Sequence, residues 1–206
     1  MNQQSDLIPP AHKFDLTNWK LQELSTRGIV NLTKYASPCF FLTADNLICF
    51  DVDTAQEATS YRSELRHKHN WNTGENHEMS ATLKVKYDAK NFRLTLIQIH
   101  GITDSKEFPP PVLRIVVING NLFSITKKDI AAIENKKTLL KKNISDSFFD
   151  LTIKVENAVL TVGIDGKELL NQDISFWKYK NYFKIGCYPQ TKEGRFQVYI
   201  KKFHVD

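Results

Sequence analysis

The chain has 206 residues, of which 41% are hydrophobic and 25% charged, with a formal net charge of +5. This composition is ordinary for a soluble globular protein, and no apolar run is long enough to cross a membrane as a helix. The positive excess suits a polyanionic partner such as nucleic acid, an acidic polysaccharide or an anionic membrane, although a merely basic surface would give the same charge. Lys136-Lys137 and Lys141-Lys142 are short pairs, predicted to be solvated, and do not make a nucleic-acid-binding tail.

The three cysteines exclude a disulfide framework and a zinc signature, because their number is odd and their spacing irregular. Cys39 and Cys49 lie in apolar runs, which favours buried thiols and leaves a bridge between them open. Cys187 alternates away from the polar side of its predicted strand, which argues against a nucleophile. The N-terminus is not a signal peptide. We expect a secreted or periplasmic protein that begins after a removed signal, with a cytoplasmic location left open.

The first half of the chain is predicted to be a series of short strands. Residues 1–12 are polar, contain Pro9-Pro10 and are expected to form a flexible lead-in. Turn residues and period-two alternation then mark the following segments. Residues 14–21 are predicted to form a turn that leads into a strand. Further predicted strands occupy 39–43, 47–52, 61–66, 79–87 and 92–100.

The second half is predicted to contain hairpins and the only helix. Residues 101–111 form a loop that ends in three prolines, where a cleft rim or lid could lie. Asn119-Gly120-Asn121 is a strong hairpin signal, and Asp165-Gly166 marks another turn. Residues 127–142 are the only stretch with helical character. The remaining predicted strands are 113–118, 122–126, 148–155, 159–164, 179–190 and 195–204.

About a dozen short strands with one short helix predict an all-β sandwich. We find no repeat, no low-complexity tract and no linker composition, so residues 13–206 are expected to form one domain. The concave sheet of such a sandwich is a natural groove for a linear polymer.

Three predicted strands carry polar side chains on one face, since alternate residues of a strand point to the same side. The first strand presents Arg62, Glu64 and Arg66, and the second presents Gln98 and His100. The third presents Tyr182, Lys184, Gly186, Tyr188 and Gln190. Taken singly, each row is most simply a solvated or ion-paired strand face. Together they predict one polar binding surface.

These segments resemble the alginate lyases of polysaccharide lyase family seven. The resemblance lies in three motifs in the family's order, with support from 14–21 and 74–77, and so covers nearly the whole chain. The motifs are Arg62-Ser63-Glu64-Leu65-Arg66, Gln98-Ile99-His100 and the stretch from Tyr182 to Gln190. The resemblance implies a β-jelly roll, with two antiparallel sheets and a concave substrate groove. It also implies endolytic cleavage of alginate by β-elimination, without a metal or other cofactor.

The resemblance also implies roles for individual residues. Arg62, Gln98 and His100 would neutralise the uronate carboxylate as the proton at C5 leaves. Tyr188 would lie at the leaving oxygen. It would act as both base and acid on mannuronate, with Arg62 or Lys184 as the cation that lowers its pKa. On guluronate His100 would be the base and Tyr188 the acid.

The other polar residues are expected to bind substrate. Arg66, Lys184 and Gln190 would bind neighbouring uronates, Tyr182 would bind or pack, and Glu64 would orient the two arginines by ion pairs. We expect a monomer whose partner is an acidic polysaccharide rather than nucleic acid or a membrane. His67, His69 and His77 do not have the spacing of a metal site and are assigned to a polar loop.

Two residues depart from the family pattern. Ile185 replaces the usual Ala and faces the core, whereas Pro189 replaces the usual Asn and removes a backbone donor beside Tyr188. Ile99 in the middle motif is a form associated with guluronate-containing substrates. The alternatives left open are a lyase on another polyuronate such as glucuronan and a non-catalytic polyuronate-binding module. A nucleic-acid-binding β-protein is more distant, since no such motif is present.

Overall fold

The computed structural model describes residues 7–24, 26–55, 58, 60–103, 109–130 and 135–206. The described residues form fifteen strands and a 3-10 turn at Pro10–His12. None of their helices is long and apolar enough to span a membrane. The strands are β1 Trp19–Glu23, β2 Thr26–Ile29, β3 Phe40–Leu42, β4 Ile48–Asp53, β5 Ser63–His67, β6 His77–Asp88, β7 Arg93–Ile102, β8 Leu113–Ile118, β9 Asn121–Lys127, β10 Asn135–Lys141, β11 Phe149–Glu156, β12 Val159–Ile164, β13 Lys167–Asp173, β14 Lys180–Pro189 and β15 Arg195–Val205.

The strands pair into two antiparallel sheets, which confirms the predicted sandwich. Among the described residues, one sheet has eight strands in the order β10-β9-β8-β7-β14-β5-β1-β2. The other has seven in the order β13-β12-β11-β6-β15-β4-β3. The three strands with polar rows, β5, β7 and β14, are neighbours in the eight-stranded sheet. Their polar side chains therefore lie side by side on one face of the sheet.

The two sheets pack together through the apolar faces that period-two alternation gives their strands. In β11, Phe149, Leu151, Ile153 and Val155 are buried, while the residues between them are half-buried or exposed. Burying one such side chain contributes about 2 kcal/mol. The same pattern on the other strands gives one cluster of buried side chains that runs from Leu16 to Ile200.

The predicted helix at 127–142 is wrong. Residues 131–134 lie outside the described part of the chain, and 135–141 form β10, paired with β9 from Asn135 opposite Lys127. Lysine and leucine favour helices only weakly, by a few tenths of a kcal/mol per residue. Strand pairing along β9 satisfies the backbone of 135–141 instead.

Three further expectations concern the lead-in, the cysteines and the loop at 101–111. Within the predicted lead-in, Ile8 pairs with Leu42 and Pro10 is buried, so this part is fixed to the domain rather than flexible. Cys39, Cys49 and Cys187 are buried free thiols, so the bridge left open between Cys39 and Cys49 is not formed. The predicted lid at 101–111 falls partly on 104–108, outside the described residues.

A β-bulge lies just before Tyr188. β14 pairs Ile185 with Ile97 and then Tyr188 with Thr95, so it carries one more residue than β7 between these two pairs. A bulge bends its strand and re-aims the next side chains. Gly186 lies in this bulge with a φ of +155°. The bulge thus sets the direction in which Tyr188 leaves the sheet.

Replacing Gly186 by Ala is expected to destabilise the fold by more than about 2 kcal/mol, as overpacking does. A Cβ at this position would lie 2.3 Å from the carbonyl oxygen of Ser63, which is backbone and cannot move alone. Gly74→Ala is the matched control, since a Cβ there meets nothing within 4 Å. Urea unfolding measures both variants. Equal midpoints for the two would contradict a steric requirement at Gly186.

Candidate active site

A row of charged and polar side chains crosses the eight-stranded sheet at right angles to its strands. Arg66 on β5 lies directly opposite Lys20 on β1 and Lys184 on β14. Gln98 on β7 lies opposite Lys184 and Arg114 on β8. Residues directly opposite each other in a sheet share a face. Four cations and one amide therefore form a line across five strands.

Glu64 is a buried anion beneath this row. Its carboxylate accepts hydrogen bonds from Lys184 Nζ at 2.5 Å and from Gln98 Nε2 at 2.7 Å. Arg62 Nη1 lies 3.8 Å from the same carboxylate. Glu64 is 0% exposed and Lys184 3% exposed, so the pair is shielded from water. Burial lowers the pKa of Lys184, and the charge of Glu64 opposes that shift.

The expected role of Glu64 needs correction. Of the two expected ion pairs, the one with Arg62 is present at 3.8 Å. The hydrogen bonds of the carboxylate, however, come from Lys184 and Gln98, and it has no exposed surface with which to bind substrate. Arg66 Nη2 instead donates to Asn70 Oδ1 at 3.0 Å. The physical reason is that Glu64 lies opposite Gly186, whose lack of a side chain leaves room for the diagonal Lys184. With no exposed surface, Glu64 acts on substrate only through its partners.

Arginines cover the two tyrosines of β14. The guanidinium carbon of Arg62 lies 4.5 Å from the ring centroid of Tyr188, and that of Arg66 lies 3.9 Å from the ring centroid of Tyr182. Arg62 Nε also donates to Ser60 Oγ at 2.7 Å, which fixes its orientation. A guanidinium over an aromatic face is attracted by the negative face of the ring. Arg62 is therefore held against Tyr188 in the groove.

His100 is held in the form that a general base requires. Its Nδ1 lies 2.8 Å from the carbonyl oxygen of Gly101, which can only accept, so Nδ1 carries the proton. Its ring stacks on Tyr182 with centroids 5.4 Å apart. Burial lowers the pKa of His100, with a smaller opposing effect from the Gly101 hydrogen bond. The neutral ring therefore has an unprotonated Nε2.

A groove of about 970 Å³ brings most of the predicted residues together. Gln98 and Glu64 are buried, and Arg66 lies beside the groove against Tyr182. A smaller cavity of about 440 Å³ near Phe14 contains none of the predicted residues. The predicted residues that line the groove are Arg62, His100, Tyr182, Lys184, Tyr188 and Gln190.

The structure adds residues that sequence reasoning missed. Lys20 and Gln22 on β1 line the groove, as does Lys192 beyond β14. Arg114 on β8 is a further cation of this face, and burial, with a smaller effect from nearby Arg93, lowers its pKa. The alternation of β1 and β8 was readable from sequence. What was missing was the strand pairing that sets Lys20 and Arg114 in line with Arg66 and Gln98.

The segment between β5 and β6 is the predicted polar loop, exposed at 68–70 and 74–76, but the histidines at its two ends pack against tryptophans. His67 ends β5 against Trp19, with ring centroids 4.7 Å apart, and burial lowers its pKa to about 4. His77 stacks on the buried Trp71 at 4.7 Å. Within the described ranges, no three His, Cys, Asp or Glu side chains are grouped as metal ligands would be.

The Glu64–Lys184 pair is expected to behave as one unit in a double-mutant cycle. Glu64→Gln leaves an uncompensated buried ammonium and should cost about 3 kcal/mol of unfolding free energy. Lys184→Met leaves a buried carboxylate and should cost a similar amount. The double variant should lose clearly less than the sum of the two, as measured by urea unfolding. Additive losses would contradict the coupling.

Comparison with known proteins identifies the family. A family model described as alginate lyase matches residues 14–206. An alginate lyase from a Photobacterium species is 26% identical over 145 aligned residues, which cover 55% of this chain and 50% of that protein. The chain thus matches about half the length of that curated relative.

Solved structures of the same kind share the fold. The crystal structure of alginate lyase A1-II′, a member of polysaccharide lyase family seven, superposes with a TM-score of 0.85 at 26% identity, covering 96% of this chain and 97% of that one. A variant of that lyase in complex with a substrate, GGMG, has a TM-score of 0.86 at 25% identity and covers 96% of both chains. An alginate lyase from Pseudomonas aeruginosa, at 22% identity, has a TM-score of 0.79 over 94% of this chain and 99% of that one, and supports the fold alone.

The predicted jelly roll is thereby confirmed. Since the family match covers all but the first residues of the chain, this protein belongs to the alginate lyase family, in polysaccharide lyase family seven.

Proposed function

We propose that this protein cleaves alginate by β-elimination, without a metal. The observation that carries the proposal is the grouping of three side chains around one cationic groove. Arg62 lies 4.5 Å from the Tyr188 ring, and His100, with its unprotonated Nε2, lines the same groove. The similarity to lyases named for alginate, one of them crystallised with a substrate, adds support.

Charge complementarity would bind the polymer. Alginate carries a carboxylate on every sugar, and the row of cations crosses the strands on both sides of the Tyr188 strand. Lys20 and Arg66 lie on one side and Arg114 on the other. Uronates would be held on both sides of the broken bond, which supports an endolytic mode of cleavage.

Arg62 and Gln98 would neutralise the reacting uronate. When C5 loses its proton, a second negative charge develops on the adjacent carboxylate, and preorganised donors stabilise it. Arg62 offers a charged fork that fits a carboxylate. Gln98 donates one of the two N–H groups of its amide to Glu64, and the second would donate to the substrate carboxylate. Glu64 thus holds the amide in place without touching the sugar.

The proton transfers would fall to His100 and Tyr188. On guluronate, His100 Nε2 takes the C5 proton, the C4–O4 bond breaks, and Tyr188 gives its phenolic proton to O4. On mannuronate, where the C5 proton is on the opposite face, the Tyr188 phenolate takes that proton and returns it to O4. Both routes leave a C4=C5 double bond at the new non-reducing end.

Two alternatives would use the same groove differently. A lyase on another polyuronate such as glucuronan needs the same carboxylate donors and differs only in sugar stereochemistry. A non-catalytic module would need the cations but not an oriented imidazole beside a phenol, so the His100–Gly101 hydrogen bond favours the enzyme. Secretion and a monomeric state stay predictions.

Polymannuronate, polyguluronate and glucuronan, tested separately for ultraviolet absorbance of the unsaturated product, should distinguish these cases. We expect the absorbance to rise with one or both alginate blocks. Binding without product in the wild type would favour the module.

Tyr188→Phe should lower turnover about a hundredfold or more, since it removes the proton donor. The variant should bind alginate almost as the wild type does. Tyr199→Phe is the matched control, because its hydroxyl contacts Gln197 on the other sheet. A Tyr188→Phe variant that turns over at a near wild-type rate would rule out the proposed role of Tyr188.

The activity on polyguluronate should have an acid limb below pH 6.5, the ordinary imidazole value that burial lowers in His100. Below the His100 pKa, Nε2 is protonated and cannot accept the C5 proton. Because the shift is downward, the neutral base persists to lower pH than in a free imidazole. The pH profile of kcat/KM measures this pKa in the free enzyme. An acid limb above pH 6.5 would contradict the assignment of His100 as base.

A further inference from the structure

We propose that the substrate-binding face continues past the catalytic residues onto β9 and β10, where Lys137 and Phe123 bind a distant uronate of the same chain. This rests on the proposed function. The row that ends at Arg114 on β8 continues in register, since Arg114 lies opposite Ile125 and Ile125 opposite Lys137. Lys137 is therefore on the same face as the catalytic groove, at the edge strand of the sheet.

A second, independent contact supports this placement. Lys137 Nζ lies 5.0 Å from the ring centroid of Phe123, which requires both side chains to be on one face. Phe123 is only half-buried and lies opposite Val116 and Leu139, the latter 43% exposed. An apolar strip therefore runs beside the cations. A uronate has the matching halves, namely C–H groups on one face of its ring and a carboxylate at its rim.

The charge of this region fits a polyanion. The strands β8, β9 and β10 contain no Asp or Glu, but carry five cations, namely Arg114, Lys127, Lys136, Lys137 and Lys141. From β14 to β10 there are four strand steps in the sheet, or about 19 Å at the usual strand spacing. Only a chain of several sugars can reach from the groove to Lys137. The contact should therefore matter for long substrates alone.

The plainer explanation is that lysines on an edge strand prevent sheet-to-sheet aggregation. That role would use Lys136 and Lys137 equally, because both are exposed on β10. The two residues are adjacent and so point to opposite faces of the strand. Only Lys137 shares the face of the groove, so the pair provides a test in which the change in net charge is identical.

The experiment compares Lys137→Glu with Lys136→Glu on polymeric alginate and on the shortest oligosaccharide that the wild type cleaves. We expect Lys137→Glu to lower kcat/KM about fivefold on the polymer and to leave the short substrate unchanged. Such a loss corresponds to ~1 kcal/mol of binding. Lys136→Glu should match the wild type on both substrates. Phe123→Leu, which keeps apolar volume but removes the ring, should also slow cleavage of the polymer only.

The remaining outcomes overturn the proposal. Equal losses for the two lysine variants would mean that overall charge or edge protection is responsible. Equal losses on long and short substrates would mean an effect on the catalytic residues or the fold. A wild type that cleaves no alginate at all would instead refute the proposed function, and this inference with it.

Discussion

The site depends on one buried ion pair, between Glu64 and Lys184. Removing two charges from water is costly, and their attraction offsets that cost only with good geometry and further hydrogen bonds. Both conditions hold here, with contacts of 2.5 Å to Lys184 and 2.7 Å to Gln98. The carboxylate also lies 3.8 Å from Arg62, so it offsets part of the repulsion among cations gathered on one face. Without this anion, that face would repel itself.

The same sheet positions the groups that move protons. The bulge at Gly186 aims Tyr188, while Arg62 covers its ring and is itself held by Ser60. On the neighbouring strand, the Gly101 carbonyl fixes the tautomer of His100. Each reacting side chain is thus oriented by backbone or by a residue that does not react. Such preorganisation avoids reorienting donors at the moment of reaction.

The faces of the strands could be predicted from sequence, but their partners could not. Alternation correctly put Arg62, His100 and Tyr188 on one polar surface, because side-chain direction in a strand is local. Which residues lie opposite each other depends on register, so Lys20 and Arg114 were missed. From sequence, Glu64 was expected to pair with the arginines beside it. Its hydrogen bonds to Lys184 and Gln98 depend on the space left by Gly186, which only the strand register reveals. The helix expected at 127–142 failed for the same reason, since pairing with β9 outweighed local propensity.

The proton NMR spectrum of alginate after digestion by the wild-type protein tests β-elimination itself. We expect an olefinic H4 signal from a new unsaturated non-reducing end, growing as the polymer shortens. Shortened chains with saturated ends would mean hydrolysis. An unchanged polymer that remains bound to the protein would mean a groove that recognises polyuronate without cleaving it, and either result would contradict β-elimination by this protein.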